Sequence, residues 1–195
     1  MTVMKPTILY PALLLTFLCL PVPPAKAAPG GKETKAESVP PAKLERIQEQ
    51  NVRKAREKMS ADSKGQSRKD WEELESLYQK GNANPRLPEN HLFLEEVIEK
   101  FPKSNRAGCA ALYLARYSKN RDREKYLEMA IEKYSDCYYG DGTSVGAYAR
   151  YLQGMQWQQA GKRREAEKIF AEIREDYPTA TDHGGRLLVE HLPEK

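Results

Sequence analysis

One spacing restricts what this chain can fold into more than any other. It runs Leu94-x2-Val97-x3-Phe101-Pro102, then Leu127-x2-Ala130-x3-Tyr134-Ser135, then Phe170-x2-Ile173-x3-Tyr177-Pro178. Steps of three and four place the apolar residues on one helix face. Proline lacks an N–H and clashes with the preceding turn, so in two of the copies the helix must end where the large residue stands. The copies lie 33 and 43 residues apart. A period in that range predicts stacked helical units, because one amphipathic hairpin cannot bury its apolar face alone. Phe101, Tyr134 and Tyr177 are then expected to plug the seams between hairpins.

The rest of the chain reads as punctuation around that repeat. Asp70 with Glu73 predicts a capped helix start, followed by a face of Trp71, Leu74 and Tyr78. "GNANPRLP" reads as a loop, and helices are expected at 89–101, 106–118 (capped by Ser104 or Asn105), 122–134, 145–160 and 163–176, with a short one in 181–192. No stretch alternates as a strand does. The expected class is all-α, built from antiparallel helix–turn–helix repeats.

The N-terminal third differs. Lys5, the apolar run at 8–20 and Ala25 and Ala27 at A-x-A spacing read as a signal peptide over 1–27. Leu18 is too bulky for the position before a lipidated cysteine, which argues against anchoring at Cys19. Residues 28–42 read as a disordered linker and 43–66 as a basic amphipathic helix (43–59) broken by "SADSKGQS", ahead of a repeat domain over 67–195. Segment 32–69 holds 11 Lys/Arg against 6 Asp/Glu, whereas 70–195 holds 19 against 22. Basic character thus belongs to the N-terminal arm, and helix 43–59 offers a route to self-association. No apolar run is long enough for a membrane span in the mature chain. The expected location is exported, periplasmic or secreted.

The repeat resembles the tetratricopeptide (TPR) family, best over 147–178. Gly154 stands at the small position, Trp157 at the large one, Gly161 in the turn, Ala166 at the small position of the second helix, Phe170 at its large partner and Pro178 at the end. The first unit matches through Trp71, Leu74, Tyr78, Phe101 and Pro102 but departs at Glu75 and Asn90; the middle unit keeps Ala111 and Leu114 but has Arg123 and Ser135 where a small residue and proline are wanted. The phrase "FPKSNRAGCAALYLARYS" is similar to secreted bacterial TPR proteins of the outer-membrane-assembly and Tol–Pal-associated types. The resemblance implies an envelope scaffold. It maps the binding face onto Tyr148, Tyr151, Met155 and Gln158 in the last unit and Leu112 and Arg116 in the middle one. The competing reading of Tyr148 and Tyr151 is that they pack on a neighbouring hairpin.

Motifs for chemistry are sparse. "GTSVG" at 142–146 satisfies G-x-S-x-G, with Ser144 as nucleophile and Asp176 or Asp182 and His183 or His191 after it in hydrolase order. That motif needs a strand-to-helix turn over a parallel sheet, and no strand is expected here. His91, His183 and His191 lack the i, i+4 spacing of paired helix ligands, no cysteine pair has zinc spacing, and "GDGTSVG" lacks the Lys-Ser/Thr of a phosphate loop. No metal, cofactor or nucleic acid is expected. The hairpin arrangement brings Cys109 and Cys137 to one edge, and an exported chain would meet an oxidising compartment, so a Cys109–Cys137 disulfide is expected, the alternative being two separate thiols with Cys109 buried as a small apolar residue. The function expected is a non-catalytic scaffold for a protein or peptide. The alternatives are an envelope component that oligomerises through 43–59 and, distantly, a serine hydrolase.

Overall fold

The computed structural model describes residues 39–84 and 86–193, all within one unit, Glu37–Lys195. The expected signal peptide, Cys19 and most of the 28–42 linker lie outside the described residues. Seven α-helices follow: α1 (Pro41–Gly65), α2 (Arg68–Ala83), α3 (Pro88–Lys100), α4 (Asn105–Tyr117), α5 (Asn120–Glu132), α6 (Val145–Gln159) and α7 (Arg163–Asp176), then a 3-10 turn (Leu188–His191). Each helix from α2 onward packs on the next, giving hairpins α2–α3, α4–α5 and α6–α7 in series; α4 also touches α2 and α6. Among the described residues there is no strand, only the isolated bridges Tyr138–Ser144 and Thr181–Leu187. The all-α class with adjacent antiparallel helices is the one the spacing predicts.

Boundaries differ in three places. The helix expected at 43–59 runs through "SADSKG" to Gly65, because isolated small polar residues do not stop a helix that finds tertiary partners. The α2 cap is Ser67, whose hydroxyl accepts from the Asp70 N–H and donates to the Asp70 carboxylate, so the helix is capped three residues earlier than the expected Asp70. Gly81 lies inside α2, not in a loop: a Cβ there would meet Leu94 Cδ2 at 2.4 Å. Gly81 therefore provides the close approach that position 75 lacks, and Glu75 is free to form a half-buried, two-pronged ion pair with Arg106 (2.6 and 3.0 Å).

Two core clusters fill the stack. One joins Leu74, Leu94, Val97, Ala111, Leu114, Leu127 and Tyr134 across the first two hairpins and into the start of α6; the other joins Ala166, Ile169, Phe170, Ile173 and Leu188. Trp71 and Phe101 pack against the first, Trp157 and Tyr177 against the second, and Tyr148 against both. The helices come close where side chains vanish. A Cβ on Gly154 would meet the Phe170 ring at 2.5 Å, and one on Gly146 would meet Ser135 Cα at 2.6 Å. Gly161, at φ +75°, turns α6 into α7 just as Pro178 follows the end of α7.

The connections after α5 and α7 are copies of each other, 43 residues apart. Tyr139 N donates to Thr143 O and Val145 N to Cys137 O; Asp182 N donates to Arg186 O and Leu188 N to Ala180 O. Gly142 and Gly185 take the positive φ (91° and 77°) that each turn needs. The connection after α3 is a short turn, which accounts for most of the difference between the 33- and 43-residue periods. Helix α1 crosses all three connections. Asp62 accepts from the Asn105 and Arg106 N–H groups at 2.9 and 3.3 Å, Lys58 pairs with Asp136, Asn51 donates to Thr179 O at 2.9 Å, and Gln48 donates to Gly185 O at 2.7 Å. Burial raises the Asp62 carboxyl above its ordinary value despite those two N–H donors. Only Ile47, Asn51 and Ala55 of α1 are buried, so its attachment is mainly polar.

Gly146→Ala and Gly154→Ala should both lower the denaturant midpoint, each by about 1–3 kcal/mol of overpacking. Gly146→Ala should cost more, because its new methyl meets backbone atoms of Ser135, while that of Gly154→Ala meets a ring edge. The reverse order would mean that α6 contacts its neighbours in another register.

Candidate functional site

Helices α4 and α6 bring together a continuous run of aromatic and cationic side chains. Tyr113 and Tyr117, one turn apart on α4, have ring centroids 5.0 Å apart. The Arg116 guanidinium lies 5.8 Å from the Tyr117 ring and 5.7 Å from the Tyr148 ring of α6. Tyr148 continues to Tyr151 at 5.9 Å and to His183 at 5.2 Å. Met155 extends the α6 side one turn beyond Tyr151. Arg116 is exposed, Tyr117 is 37% exposed, and Tyr113, Tyr148, Tyr151 and Met155 are half-buried. No carboxylate pairs with Arg116 among the described residues. Burial raises the Tyr113 and Tyr148 hydroxyls above their ordinary values, against the lowering effect of Arg116.

Two residues expected on this face are elsewhere. Leu112 is fully buried in the first core cluster. The register of α4 turns Leu112 inward and leaves Tyr113 and Tyr117 outside, two residues the repeat pattern overlooks although their i, i+4 spacing was visible. Gln158 lies at the far end of α6, in a groove shared with Arg163, Phe170 and Pro193. Tyr148 packs on both core clusters and Tyr151 on the second alone, and both residues are partly exposed.

His183 ties the two copied connections together. Its Nδ1 lies 2.7 Å from Asp141 Oδ2 and 3.3 Å from Thr143 Oγ1. Its ring stands edge-on to Tyr139 (4.9 Å) and Tyr148, and Nε2 is buried with no hydrogen-bond partner. The imidazole thus braces the aromatic run from below. Burial alone would raise the Asp141 carboxyl, but the hydrogen bonds from His183 and the Thr143 N–H outweigh it and hold the group below its ordinary value. Neither Asp176 nor Asp182 takes that place; Asp182 forks to the Arg186 guanidinium and accepts from the Gly184 N–H.

Ser144 is 4% exposed, and its hydroxyl accepts from the Ala147 N–H as the cap of α6. The expected Cys109–Cys137 bridge is not formed: both thiols are free and buried. The neighbouring register explains this. Cys137 sits over Gly108, where a Cβ would meet its Sγ at 2.7 Å, while Cys109, one residue on and rotated about the helix, donates to Tyr138 O at 3.3 Å. Burial pushes the Cys137 thiol up to about 12 and raises Cys109 too, which makes both poor nucleophiles. Among the described residues no three His, Cys, Asp or Glu side chains gather as metal ligands, and no helix is long and apolar enough to cross a membrane.

Asp141→Asn should destabilise the protein at neutral pH. Because the folded-state carboxyl is lowered, its contribution is present above the unfolded value of about 4 and is lost as pH falls through the folded value. Thermal melts should therefore show wild type and variant converging in the acid range. A gap that stays constant into strong acid would remove the carboxylate from the argument.

Comparison with family models, curated proteins and solved structures gives no match to the chain.

Proposed function

We propose that this chain is a non-catalytic, TPR-like scaffold that binds a protein or peptide partner through the tyrosine–arginine face of α4 and α6, in the cell envelope if residues 1–27 direct export. The supporting observation is Arg116. An exposed guanidinium flanked by two tyrosine rings, with no carboxylate partner of its own, is positioned to take one from outside. Tyrosine rings provide contact area at little cost in side-chain entropy, and Met155 adds an adaptable apolar surface. A carboxylate-bearing segment with apolar neighbours is the partner chemistry this face suits.

A photo-reactive residue at Tyr117 should cross-link a discrete partner from an envelope fraction, and Arg116→Glu in the same chain should abolish that product. The same probe at Lys168, exposed on α7, is the control. Equal cross-linking from both positions would sink this reading.

The absence of catalysis is part of the proposal. The capping role and burial of Ser144 support it, as does His183 turning its carboxylate-bound nitrogen to Asp141. A fluorophosphonate probe should leave the protein unlabelled; labelling that disappears in Ser144→Ala would establish a nucleophile instead.

A further inference from the structure

A groove of about 410 Å³ runs where α5 meets α6 and the start of α7. Leu127, Ile131 and Trp157 form its apolar floor, Glu124, Glu128 and Glu132 stand along it on α5, and Lys162 just before α7 is the one cation in its lining, so carboxylates outnumber it three to one. The glutamates recur every fourth residue, so they stack along one helix face about 6 Å apart. Like charges at that spacing repel within a helix. All three are exposed, and none has an ion-pair partner among the described residues. Gln156 Oε1 is buried at the same groove and accepts no hydrogen bond. Such a groove fits long cationic side chains, whose stems lie on Trp157 and the aliphatic floor while their heads reach the carboxylates.

The chain presents a matching surface. Helix α1 carries seven Lys/Arg against four Asp/Glu. Its stripe of Ile47, Asn51 and Ala55 is buried against its own domain, which leaves Arg53, Arg56, Ser60 and Lys64 along the opposite side. Arg53 has only a 3.9 Å contact with Glu57, and both side chains are at least 70% exposed. We propose that the α5–α6 groove takes the basic outer face of α1 from a second copy of this chain. The site lies apart from the tyrosine–arginine face and does not rest on it. It also revises the idea of association through 43–59: the buried stripe of α1 is used within the chain, and the charged face is the one that reaches another copy. The contact is heterologous, with groove on one copy and helix on the other, so each added copy still offers both surfaces and association grows with concentration.

The test uses the full chain and sedimentation velocity. At low ionic strength the weight-average mass should rise with concentration, and near 1 M salt, where the screening length is about 3 Å, the rise should disappear. Glu124→Lys/Glu128→Lys/Glu132→Lys should weaken self-association at least tenfold, and so should Arg53→Glu/Arg56→Glu/Lys64→Glu, with circular dichroism confirming that each variant keeps its helix content. Mixing the two variants should restore association, because each then offers the surface the other needs. Three results would overturn the proposal: a wild type monomeric at low salt, association that survives either reversal, or a mixture that stays monomeric. Binding of an unrelated lysine-rich helical peptide to the groove without self-association would also overturn it, by replacing the second copy with a basic partner protein.

Discussion

The close approach of helices at residues without a side chain is the constraint on which the other contacts depend. Gly81 under Leu94 and Gly154 under Phe170 set how near α2 lies to α3 and α6 to α7, while Gly108 under Cys137 and Gly146 against the Ser135 backbone let α4 and α6 approach the connection after α5. Tyr134 is buried in the first cluster, and Phe101 and Tyr177 pack, partly exposed, against the first and second clusters. A methyl group at Gly146 would meet the Ser135 backbone, and at the other three points it would have to displace a packed side chain. The glycine at 81 also frees position 75 from any packing duty, so that Glu75 can hold Arg106, whose guanidinium lies 4.4 Å from the Tyr78 ring.

The second level of organisation is the strap formed by α1. Three hairpins in a row leave their connections on the surface, with backbone N–H and carbonyl groups that need partners. α1 provides several of them: the Asp62 carboxylate at the start of α4, and the Asn51 and Gln48 amides at the last connection. A helix held mostly by hydrogen bonds contributes less apolar burial than the hairpins do, so its attachment depends on direction and register more than on area. The same arrangement leaves its basic side facing outward.

The candidate binding face draws on elements distant in sequence. Arg116 from α4 sits over Tyr148 from α6, and His183 from the last connection stands beneath Tyr148 while holding Asp141 from the preceding one. The two connections repeat the same backbone hydrogen bonds, but one contributes the acid and the other the base. A duplicated turn has thereby become a cross-brace, and it stiffens the aromatic run that the proposed partner would meet.

The class of fold was written in the apolar spacing and its breakers, because a helical period and a proline act locally and need no knowledge of neighbours. Helices α3 to α7 were legible to within a residue or two for that reason, as was the Ser104 cap. The length of α1 was not: Asp62, Ser63 and Gly65 weaken a helix in isolation, and contacts such as Asp62 with α4 hold it only in the folded protein. The same limit governs the site. The TPR resemblance mapped both Leu112 and Arg116 onto the binding face of α4, but packing in the first core cluster buries Leu112 completely and leaves Arg116 exposed with Tyr113 only half-buried. The hairpin arrangement brought Cys109 and Cys137 to one edge, yet a single residue of rotation put Gly108 under Cys137 in place of a thiol. The pairing of Asp141 with His183 joins residues 42 positions apart. It depends on how two hairpins stack, and no local pattern in the chain carries that information.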